Sequence, residues 1–280
     1  VGPTPALFVA SSLEIAHGMS EYEWLGGLFG EPIEVIRGQY TGLPIPAQAE
    51  IALEGFAHPN DKLLEGPFGE WTGYYASDTR PEPVLEVEAM YFRNDPILLG
   101  QPPAQPPDEQ SRFRAFMRSA VLKDEIEKAG VPDVVGVWCH EVGGSRLFNV
   151  VAIRQRYPGH ARQAGHVASQ CGVGAYLGRY TIVVDDDIDP ADMDRVIWAM
   201  CTRFDPREGM EVLRGCWSSA LDPMAYAPDD PRNARVVIDA CRPWEWRDQF
   251  APLVTTPERA AAIRTKWGHL VERAGAPAPT

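Results

Sequence analysis

The sequence has no excess of positive charge and no long apolar run. Its 280 residues include 26 Lys and Arg against 39 Asp and Glu, which gives a formal net charge of −13. Because a nucleic-acid backbone is bound by clustered Lys and Arg, no nucleic-acid partner is expected. No apolar run approaches the ~20 residues that a membrane-spanning helix needs, so no membrane partner is expected either.

Cysteines are few and widely separated, and several well-known motifs are missing. The five cysteines are Cys139, Cys171, Cys201, Cys216 and Cys241, with no CxxC pair. This spacing disfavours a disulfide framework and a zinc knuckle, and it fits a reducing cytoplasm. The sequence also contains no GxxxxGK[ST], no GxGxxG and no HExxH. Nucleotide hydrolysis and zinc-peptidase chemistry therefore have little support.

Proline divides the chain. Five prolines fall within Asn94–Asp108, and this density predicts a semi-rigid connector over residues 96–108. Alternating apolar residues before it predict strands, whereas both helical and strand patterns follow it. The sequence predicts an α+β protein with a β-rich domain at 1–95, a mixed α/β domain at 109–273 and a frayed tail at 274–280.

Local patterns predict individual elements. Ser20 with Glu23 three residues later is a capping box that predicts a helix start. Asp189 before Pro190 predicts another helix, with Asp189 as its N-cap. The buried strands expected after the connector are Val134–Cys139, Leu147–Ile153 and Tyr180–Val184. The last predicted helix opens at Thr256-Pro257-Glu258 and turns four apolar side chains inward: Ile263, Trp267, Leu270 and Val271.

The stretch EGPFGEWTGYY, residues 65–75, is the first candidate site. Glu65 and Glu70 flank a Gly-Pro-Phe-Gly turn, which can direct both carboxylates towards one point. Two neighbouring carboxyl groups in a closed site can provide a general acid. The alternative is an exposed hairpin tip with two ordinary glutamates.

A second candidate combines Ala10, Ser11, Ser12 and Leu13 with Glu21. We expect the small residues to end a strand and to expose backbone carbonyls, while Glu21 lies in a first helical turn. Carbonyls and a carboxylate suit a hard cation. The alternative is that Glu21 only compensates the helix dipole.

Two further places could carry chemistry. Residues Asp185–Asp189 contain four aspartates at a predicted strand end, which could bind Mg²⁺ or form a solvated acidic turn. Cys216 lies in a turn-rich loop, Arg214–Pro223, but no base partner for a catalytic thiol can be identified.

Four blocks together resemble one family. They are ASSLEIAHGMSEYEWLGGLFGEPIEV, PIPAQAEIALEG, EGPFGEWTGYY and YTIVVDDDIDPADMDRVIWAMCTRFDP, in that order. This sequence resembles the UbiD-type decarboxylases, which use prenylated FMN. The resemblance implies a split β-barrel that binds the flavin, followed by a mixed α/β oligomerisation domain. It also implies reversible, non-oxidative loss of CO₂ from an unsaturated or aromatic acid.

The resemblance also implies roles for the candidate residues. The glutamates of a Glu–Arg–Glu network fall on Glu65 and Glu70, and Glu70 matches the proton donor. A divalent ion, Mn²⁺ or Mg²⁺, that bridges the flavin phosphate to the protein would use Glu21. The residues expected around the cofactor and a K⁺ ion are Ala10, Ser11, Ser12 and Leu13. The Asp185–Asp189 run becomes a structural turn.

Some family positions have no match. The network Arg and the metal-binding Asn and His belong to an N-terminal part of the family chain that precedes Val1, so we expect this sequence to begin within a domain. A Lys that some members place near the flavin would fall close to Gly172, where Cys171–Gly174 contains none.

Substrate specificity is expected from the helix after the connector and from the loop near Cys216. Arg114, Cys216 and Ser218 are the predicted pocket residues, and either Arg114 or Arg112 must face outward because the two lie ~200° apart on a helix. The expected partners are a small aromatic acid and CO₂, further copies of the chain in a homodimer or larger homo-oligomer, and a flavin prenyltransferase that supplies the cofactor. Two alternatives stay open: an aromatic acyl-CoA decarboxylase, or a non-catalytic oligomerising subunit.

Overall fold

The structure is a computed structural model. It describes all of the chain except residues 16, 76–77, 228, 247–248, 250–252, 254 and 274–280, and it leaves out the side chains of 271–273. Two compact units form, residues 1–242 and residues 243–280. The tail predicted to be frayed, 274–280, lies outside the described residues.

Residues before the connector form two short helices and two pairs of strands. These elements are α1 (Pro5–Ala10), α2 (Glu21–Phe29), β1 (Val35–Arg37), β2 (Pro44–Pro46), β3 (Ile51–Glu65) and β4 (Arg80–Phe92). β1 pairs with β2 and β3 with β4, both antiparallel. The capping box at α2 is confirmed: Glu23 N–H donates to Ser20 Oγ at 3.2 Å, and Ser20 N–H donates to Glu23 at 2.8 Å.

The strand end predicted at Ala10–Leu13 is wrong. α1 begins after Thr4, whose hydroxyl accepts a hydrogen bond from Leu7 N–H, and Pro5 occupies the first helical turn. The hydroxyls of Ser11 and Ser12 then donate to backbone carbonyls one turn earlier, each at 2.8 Å. A short apolar run is compatible with either a strand or a helix, and here the N-cap residue Thr4 favours the helix.

A buried carboxylate organises the turn between β1 and β2. Glu54 on β3 accepts five hydrogen bonds of 2.6–2.9 Å, from the N–H groups of Gln39, Tyr40 and Thr41 and from the hydroxyls of Thr41 and Tyr91. Burial alone would raise the pKa of Glu54, but the hydrogen bonds outweigh it and lower the pKa to about 2. A Cβ on Gly38 would lie 2.2 Å from Glu54 Oε1, so a side chain there would push the carboxylate away from these donors.

Residues after the connector form a five-stranded sheet with helices on both faces. The elements are α3 (Glu109–Lys128), β5 (Val134–Cys139), β6 (Phe148–Ile153), α4 (His160–Gln170), α5 (Gly172–Ala175), β7 (Tyr180–Asp185), α6 (Met193–Arg203), β8 (Met210–Cys216) and β9 (Asn233–Asp239). The strand order is β5-β6-β7-β9-β8. The central pairs, β6–β7 and β7–β9, are parallel, and both outer pairs are antiparallel. The α+β class is therefore confirmed.

Two apolar layers hold this sheet. Side chains of β6 alternate, so that Val151 and Ile153 face α3 and α4 while Val150 and Ala152 face α6. Each large apolar side chain buried in this way stabilises the fold by ~1.5–3 kcal/mol. A Cβ on Gly165 of α4 would lie 2.4 Å from Val237 Cγ1, so this glycine lets the helix approach the sheet closely.

The helix after β7 starts later than the sequence predicted. Its N-cap is Asp192, whose carboxylate accepts a hydrogen bond from Arg195 N–H at 3.1 Å. Asp189 instead accepts from Ala191 N–H at 2.9 Å within a turn. Both aspartates precede the same apolar pattern, and the local turn geometry selects the second as the cap.

The unit 243–280 contains a short 3₁₀ turn, Trp244–Trp246, and α7 (Pro257–Arg273). The helix start is confirmed, but the inward orientation is wrong: Ile263, Trp267 and Leu270 are 46%, 49% and 49% exposed. The side chain of Val271 lies outside the description. Helical spacing shows which side chains share a face, but it does not show that the face is covered. Among the described residues, no helix is long and apolar enough to cross a membrane.

Replacing Glu54 with Gln should destabilise the chain at neutral pH and matter less in acid. The pKa of Glu54 is lowered in the folded state, so its contribution is fully present above its unfolded pKa, ordinarily ~4.3, and is lost as pH falls towards ~2. Urea unfolding of wild type and E54Q at pH 7 and in acid measures the difference. The exposed Glu88→Gln on β4 serves as the control, and a gap between wild type and E54Q that does not shrink in acid would contradict the assignment.

Candidate active site

The segment with both candidate glutamates forms a closed loop after β3. Glu65 is the last residue of β3 and is exposed, whereas Glu70 is half-buried. Glu70 N–H donates to the Tyr74 carbonyl and Gly73 N–H donates to the Glu70 carbonyl, both at 2.9 Å. The backbone at Glu70 is therefore held from both sides, and its side chain projects from a fixed point.

Trp71 anchors this loop on the α/β part of the unit. A Cβ on Gly144 would lie 2.2 Å from Cε3 of the Trp71 ring, and Gly144 has a left-handed φ of +61°. Both facts favour glycine at 144. The loop position is therefore set by contact with the turn between β5 and β6.

The loop that follows β8 lies against the end of the same segment. A cavity of about 450 Å³ separates them, lined on one side by Thr72, Tyr74 and Tyr75 and on the other by residues 220–223 and 225–227. The structure thus brings the end of the predicted catalytic stretch and the end of the predicted specificity loop to one cavity, but Glu65 and Glu70 are not among the described residues that line it. Tyr74 and Tyr75 are largely exposed there.

Cys216 and Ser218 stand at the base of this loop. Ser218 is 3% exposed; its hydroxyl donates to Asp222 at 2.9 Å and accepts from Asn233 Nδ2 at 3.1 Å. Cys216 ends β8, with Gln170 Nε2 at 3.8 Å from its sulfur. Neither is among the described residues that line the cavity, so their role in substrate selection stays a prediction.

Buried charges fix the shape of the same loop. Asp222 pairs with Arg179 and also accepts from Asn233 Nδ2 and Met224 N–H, each at 2.9 Å. Arg235 of β9 is 2% exposed. Its guanidinium donates to four backbone carbonyls at 2.6–3.4 Å, those of Ser169, Gly174, Ala175 and Trp217. These bonds join the segment around Gly172 to the start of the loop.

The predicted metal residues lie near the end of α1 and the start of α2. The buried Ala10 accepts a hydrogen bond from Leu13 N–H at 3.1 Å, and Ser11 is exposed. Glu21 is the first residue of α2 and its side chain is exposed. Oxygen donors of this kind suit Mn²⁺, Mg²⁺ or K⁺. Within the described ranges no group of three or more His, Cys, Asp or Glu could hold a metal, so Glu21 would be one ligand of a site that needs others.

Arg114 and Arg112 are distinguished by burial. Arg114 is on the buried face of α3 and Arg112 is exposed. Burial, with repulsion from the nearby Arg146, lowers the pKa of the Arg114 guanidinium to about 10. Of the two arginines, Arg114 is thus the one whose side chain can contribute to an internal pocket.

The aspartate run after β7 is paired with arginines. Arg203 donates to Asp185 at 2.9 Å and to Asp187 at 2.8 and 2.7 Å, and Arg154 donates to Asp186 at 2.8 Å. Hydrogen bonding to Arg203 lowers the pKa of Asp187. The run therefore has the role of a structural turn.

Two family models match most of the chain. Residues 1–106 match the model for the 3-octaprenyl-4-hydroxybenzoate carboxy-lyase Rift-related domain (UbiD), and residues 111–240 match the model for the C-terminal domain of the same enzyme. The chain belongs to the UbiD family. The UbiD motifs around Glu65–Tyr75 therefore lie in a matched region.

Individual relatives are similar over most of this chain. Pyrrole-2-carboxylic acid decarboxylase of Pseudomonas aeruginosa is 33% identical over 259 residues, which cover 89% of this chain and 52% of the relative. The UbiD-class enzyme HmfF of Pelotomaculum thermopropionicum, solved with FMN, has 29% identity and a TM-score of 0.79, covering 92% of this chain and 56% of HmfF. An evolved dimeric form of HmfF, solved with prFMN, has 28% identity and a TM-score of 0.74, covering 92% and 54%.

A third relative is the vanillic acid decarboxylase of Sedimentibacter hydroxybenzoicus in its open form. It has 26% identity and a TM-score of 0.77, with 98% of this chain and 59% of that chain covered. The chain thus spans about half the length of the relatives it matches.

Sequence reasoning missed the side chains that support the site. Arg118, Arg146 and Asp222 are all buried, although charged residues of these types are usually on the surface. No local motif marks them, since their charged partners are distant in sequence: Glu14 for Arg118 and Arg146, and Arg179 for Asp222. The one available signal is that Arg118 follows Arg114 by four residues and so shares its helix face.

Asp222→Asn should destabilise the loop after β8 and the chain with it. Asp222 is buried and paired with Arg179, and removing one charge from a buried pair costs ~3 kcal/mol or more. Urea unfolding measures this loss. Asp230→Asn is the matched control in the same region, because the Asp230–Arg232 pair is exposed and such pairs contribute at most ~1 kcal/mol. Equal losses in the two variants would contradict the assignment.

Proposed function

We propose that this chain supplies the catalytic glutamates and the substrate loop of a carboxy-lyase. The reaction is the reversible, non-oxidative removal of CO₂ from an aromatic or heteroaromatic acid. The observation that carries the proposal is the cavity of about 450 Å³ between residues 220–223 and 225–227 and the side chains of Thr72, Tyr74 and Tyr75, which follow Glu70 in the same segment. Support comes from the names of two relatives, which are decarboxylases of pyrrole-2-carboxylic and vanillic acid.

The proposed cofactor is prenylated FMN, held with Mn²⁺ or Mg²⁺ and with K⁺. One structure of HmfF holds prFMN. When bound, the modified flavin supplies the electron sink for loss of CO₂. Glu21 would provide a carboxylate to the divalent ion, and the carbonyls of Ala10, Ser11 and Leu13 would face K⁺, with Ser12 beside them. Strands β1–β4 would belong to the split barrel around the flavin.

Glu70 is the proposed general acid, which delivers a proton to the carbon that has lost CO₂. Its backbone is hydrogen-bonded to Tyr74 and Gly73, so the point from which its side chain extends is held in place. Glu65, at the end of β3, is proposed as the other glutamate of the Glu–Arg–Glu network. Trp71 keeps this loop on the α/β part through its contact with Gly144.

Arg114, Cys216 and Ser218 are the proposed specificity residues, and the domains follow the predicted division at residues 96–108. The working protein is proposed to be a homodimer or larger homo-oligomer that receives its flavin from a prenyltransferase. A dimeric form is known for evolved HmfF. The half-exposed apolar side chains of α7 give such an assembly apolar area to cover.

Glu70→Gln should abolish turnover and leave flavin binding intact. Gln keeps the size of the side chain but cannot donate the proton, and loss of a general acid lowers the rate by ~10²–10⁴-fold. CO₂ release, or exchange of ¹³C-bicarbonate into the acid, measures the rate in the flavin-loaded protein. Glu88→Gln, an exposed residue of β4, is the control. A Glu70→Gln rate within tenfold of wild type would assign the proton to another group.

Glu21→Ala should reduce metal and flavin content before it affects chemistry. Loss of a direct metal ligand should weaken metal affinity at least as much as the ~10–100-fold found for supporting residues. Metal analysis and the visible flavin spectrum of the purified protein report the two contents. Glu31→Ala, just beyond α2 and exposed, is the control. Full metal and flavin content in Glu21→Ala would leave Glu21 as a helix-end charge.

A further inference from the structure

A tyrosine hydroxyl ties together the two ends of the loop that follows β8. Gly215, the next-to-last residue of β8, donates its N–H to the Tyr226 hydroxyl at 2.9 Å. Eleven positions separate these two residues. The bond therefore closes the stretch of chain that carries Cys216 and Ser218.

The strand itself creates the need for this hydrogen bond. The paired residues of β8 and β9 are Leu213 with Arg235 and then Cys216 with Asn233, so two residues of β8 lie opposite one of β9. Such a bulge interrupts the ladder of hydrogen bonds between two strands. Gly215 lies in this bulge with a left-handed φ of +68°. The hydroxyl across the loop supplies an acceptor for its N–H.

The Tyr226 ring is held from its other side as well. Its backbone N–H donates to the Arg232 carbonyl at 3.0 Å, and the Arg232 guanidinium lies over the ring at 5.9 Å from the centroid. Asp230 holds this guanidinium through two hydrogen bonds of 2.8 and 2.7 Å. A Cβ on Gly215 would lie 3.9 Å from Arg232 Nη1. The bulge, the ring and the arginine thus form one group of contacts.

Tyr226 also lines the cavity of about 450 Å³ beside the candidate catalytic segment. Thr72, Tyr74 and Tyr75 line the same cavity from the opposite side. The Tyr226 side chain therefore has two contacts of different kinds: its ring forms part of the cavity wall, and its hydroxyl ties this wall to β8.

A second tie holds the loop from inside, and the two ties differ in what is needed to open them. Asp222 is 3% exposed and accepts hydrogen bonds from Ser218 and Asn233 at 2.9 Å each. Breaking this buried tie destabilises the chain. The bond from Gly215 to Tyr226 is exposed, so water can replace either partner and the bond can open without unfolding. Tyr226 thus controls the outer part of the loop by itself.

We propose that Tyr226 is a positioning residue of the acid-binding cavity: its hydroxyl clamps the loop after β8 on the Gly215 bulge and thereby sets the size of acid that the cavity accepts. With the clamp formed, the ring stands opposite Thr72 and Tyr75 and limits the width of the cavity. With the clamp broken, the outer part of the loop moves away and a larger ring fits. The inference rests on the proposed function in so far as this cavity receives an aromatic acid.

Tyr226→Phe keeps the ring and removes the clamp, and the Cys216 thiol reports the result. Cys216 directly follows Gly215 and is half-buried. Iodoacetamide labels accessible thiolates, and peptide mass spectrometry assigns the label to each cysteine. The labelling rate of Cys216 should rise ~3–10-fold in Tyr226→Phe, the factor that one ordinary hydrogen bond gives. Cys201, which is exposed on α6, should keep its rate.

Tyr157→Phe is the matched control. This tyrosine is also partly exposed, and its hydroxyl donates to Gln163 at 2.6 Å. It should leave both thiol rates unchanged, and both variants should unfold thermally like the wild-type chain. An unchanged Cys216 rate in Tyr226→Phe would overturn the clamp, and so would an equal rise in Tyr157→Phe. A lower unfolding temperature of Tyr226→Phe, with the Cys201 rate rising in parallel, would overturn it too.

The effect on the cavity is measured with benzoate and 2-naphthoate, two acids that differ by one fused ring. Calorimetry gives the Kd of each acid for the flavin-loaded protein. Tyr226→Phe should shift the ratio of the two Kd values towards 2-naphthoate by ~3–10-fold, whereas Tyr157→Phe should keep the wild-type ratio. A ratio that does not move would overturn the positioning role, because a purely structural effect changes both affinities alike.

The clamp and the proposed function can fail separately. Binding of neither acid by the wild-type protein would count against the proposed function. The thiol rates need neither cofactor nor acid, so they would then decide the clamp alone. Loss of activity in Glu70→Gln with an unchanged Cys216 rate in Tyr226→Phe would in turn support the decarboxylase proposal and overturn the clamp.

Discussion

The unit 1–242 depends on one buried cation. Arg118 of α3 is fully buried, and its guanidinium donates to the Ser145 and Val173 carbonyls at 2.8 Å each and pairs with Glu14. One side chain thus joins the helix after the connector to a turn of the sheet, to α5 and to the segment before α2. Because desolvating a guanidinium is expensive, its bonds must all form together. The relative placement of the candidate cofactor segment and the α/β part follows from that requirement.

Buried charges that join separate segments are also found at the loop after β8, beside the candidate substrate cavity. Arg235 and Asp222 are buried charges whose hydrogen bonds reach backbone groups at the end of α4 and in the irregular loop after β8. Irregular backbone has few partners of its own, so such side chains substitute for the hydrogen bonds of a helix or a sheet. The loop beside the candidate active site is therefore held in place by buried charges. Catalytic groups need this support, because small displacements cost rate.

Sequence reasoning recovered the elements whose signal is local. The alternation around Ile51, the apolar run Val134–Cys139 and the capping box at Ser20 each predicted an element that the structure contains. It failed where two local solutions compete, as at α1, which a proline and a threonine cap made helical, and at the aspartates before α6. The prediction that the apolar side chains of α7 face inward failed for a different reason, since the burial of a helix face depends on whether another element packs against it.

The candidate site followed the same rule. Glu65, Glu70 and Glu21 could be singled out because the motif around each is continuous in sequence. Glu14, Arg118 and Arg146 could not, because residues more than a hundred positions apart meet only in the folded chain. A carboxylate inside an irregular segment and an arginine on a helix both look like surface residues. Their interaction can be recognised only in the folded chain, which brings them together.

The contact between Trp71 and Gly144 restricts which sequences this fold can accept. A side chain at 144 would face two independent obstacles, the indole ring and the left-handed backbone. A smaller residue at 71 would remove the first obstacle but not the second. Position 144 should therefore be enriched in glycine in a library that varies both sites, while position 71 can change alone at the expense of loop placement. Of these two positions in contact, position 71 is therefore the one at which substitutions can change the placement of the loop.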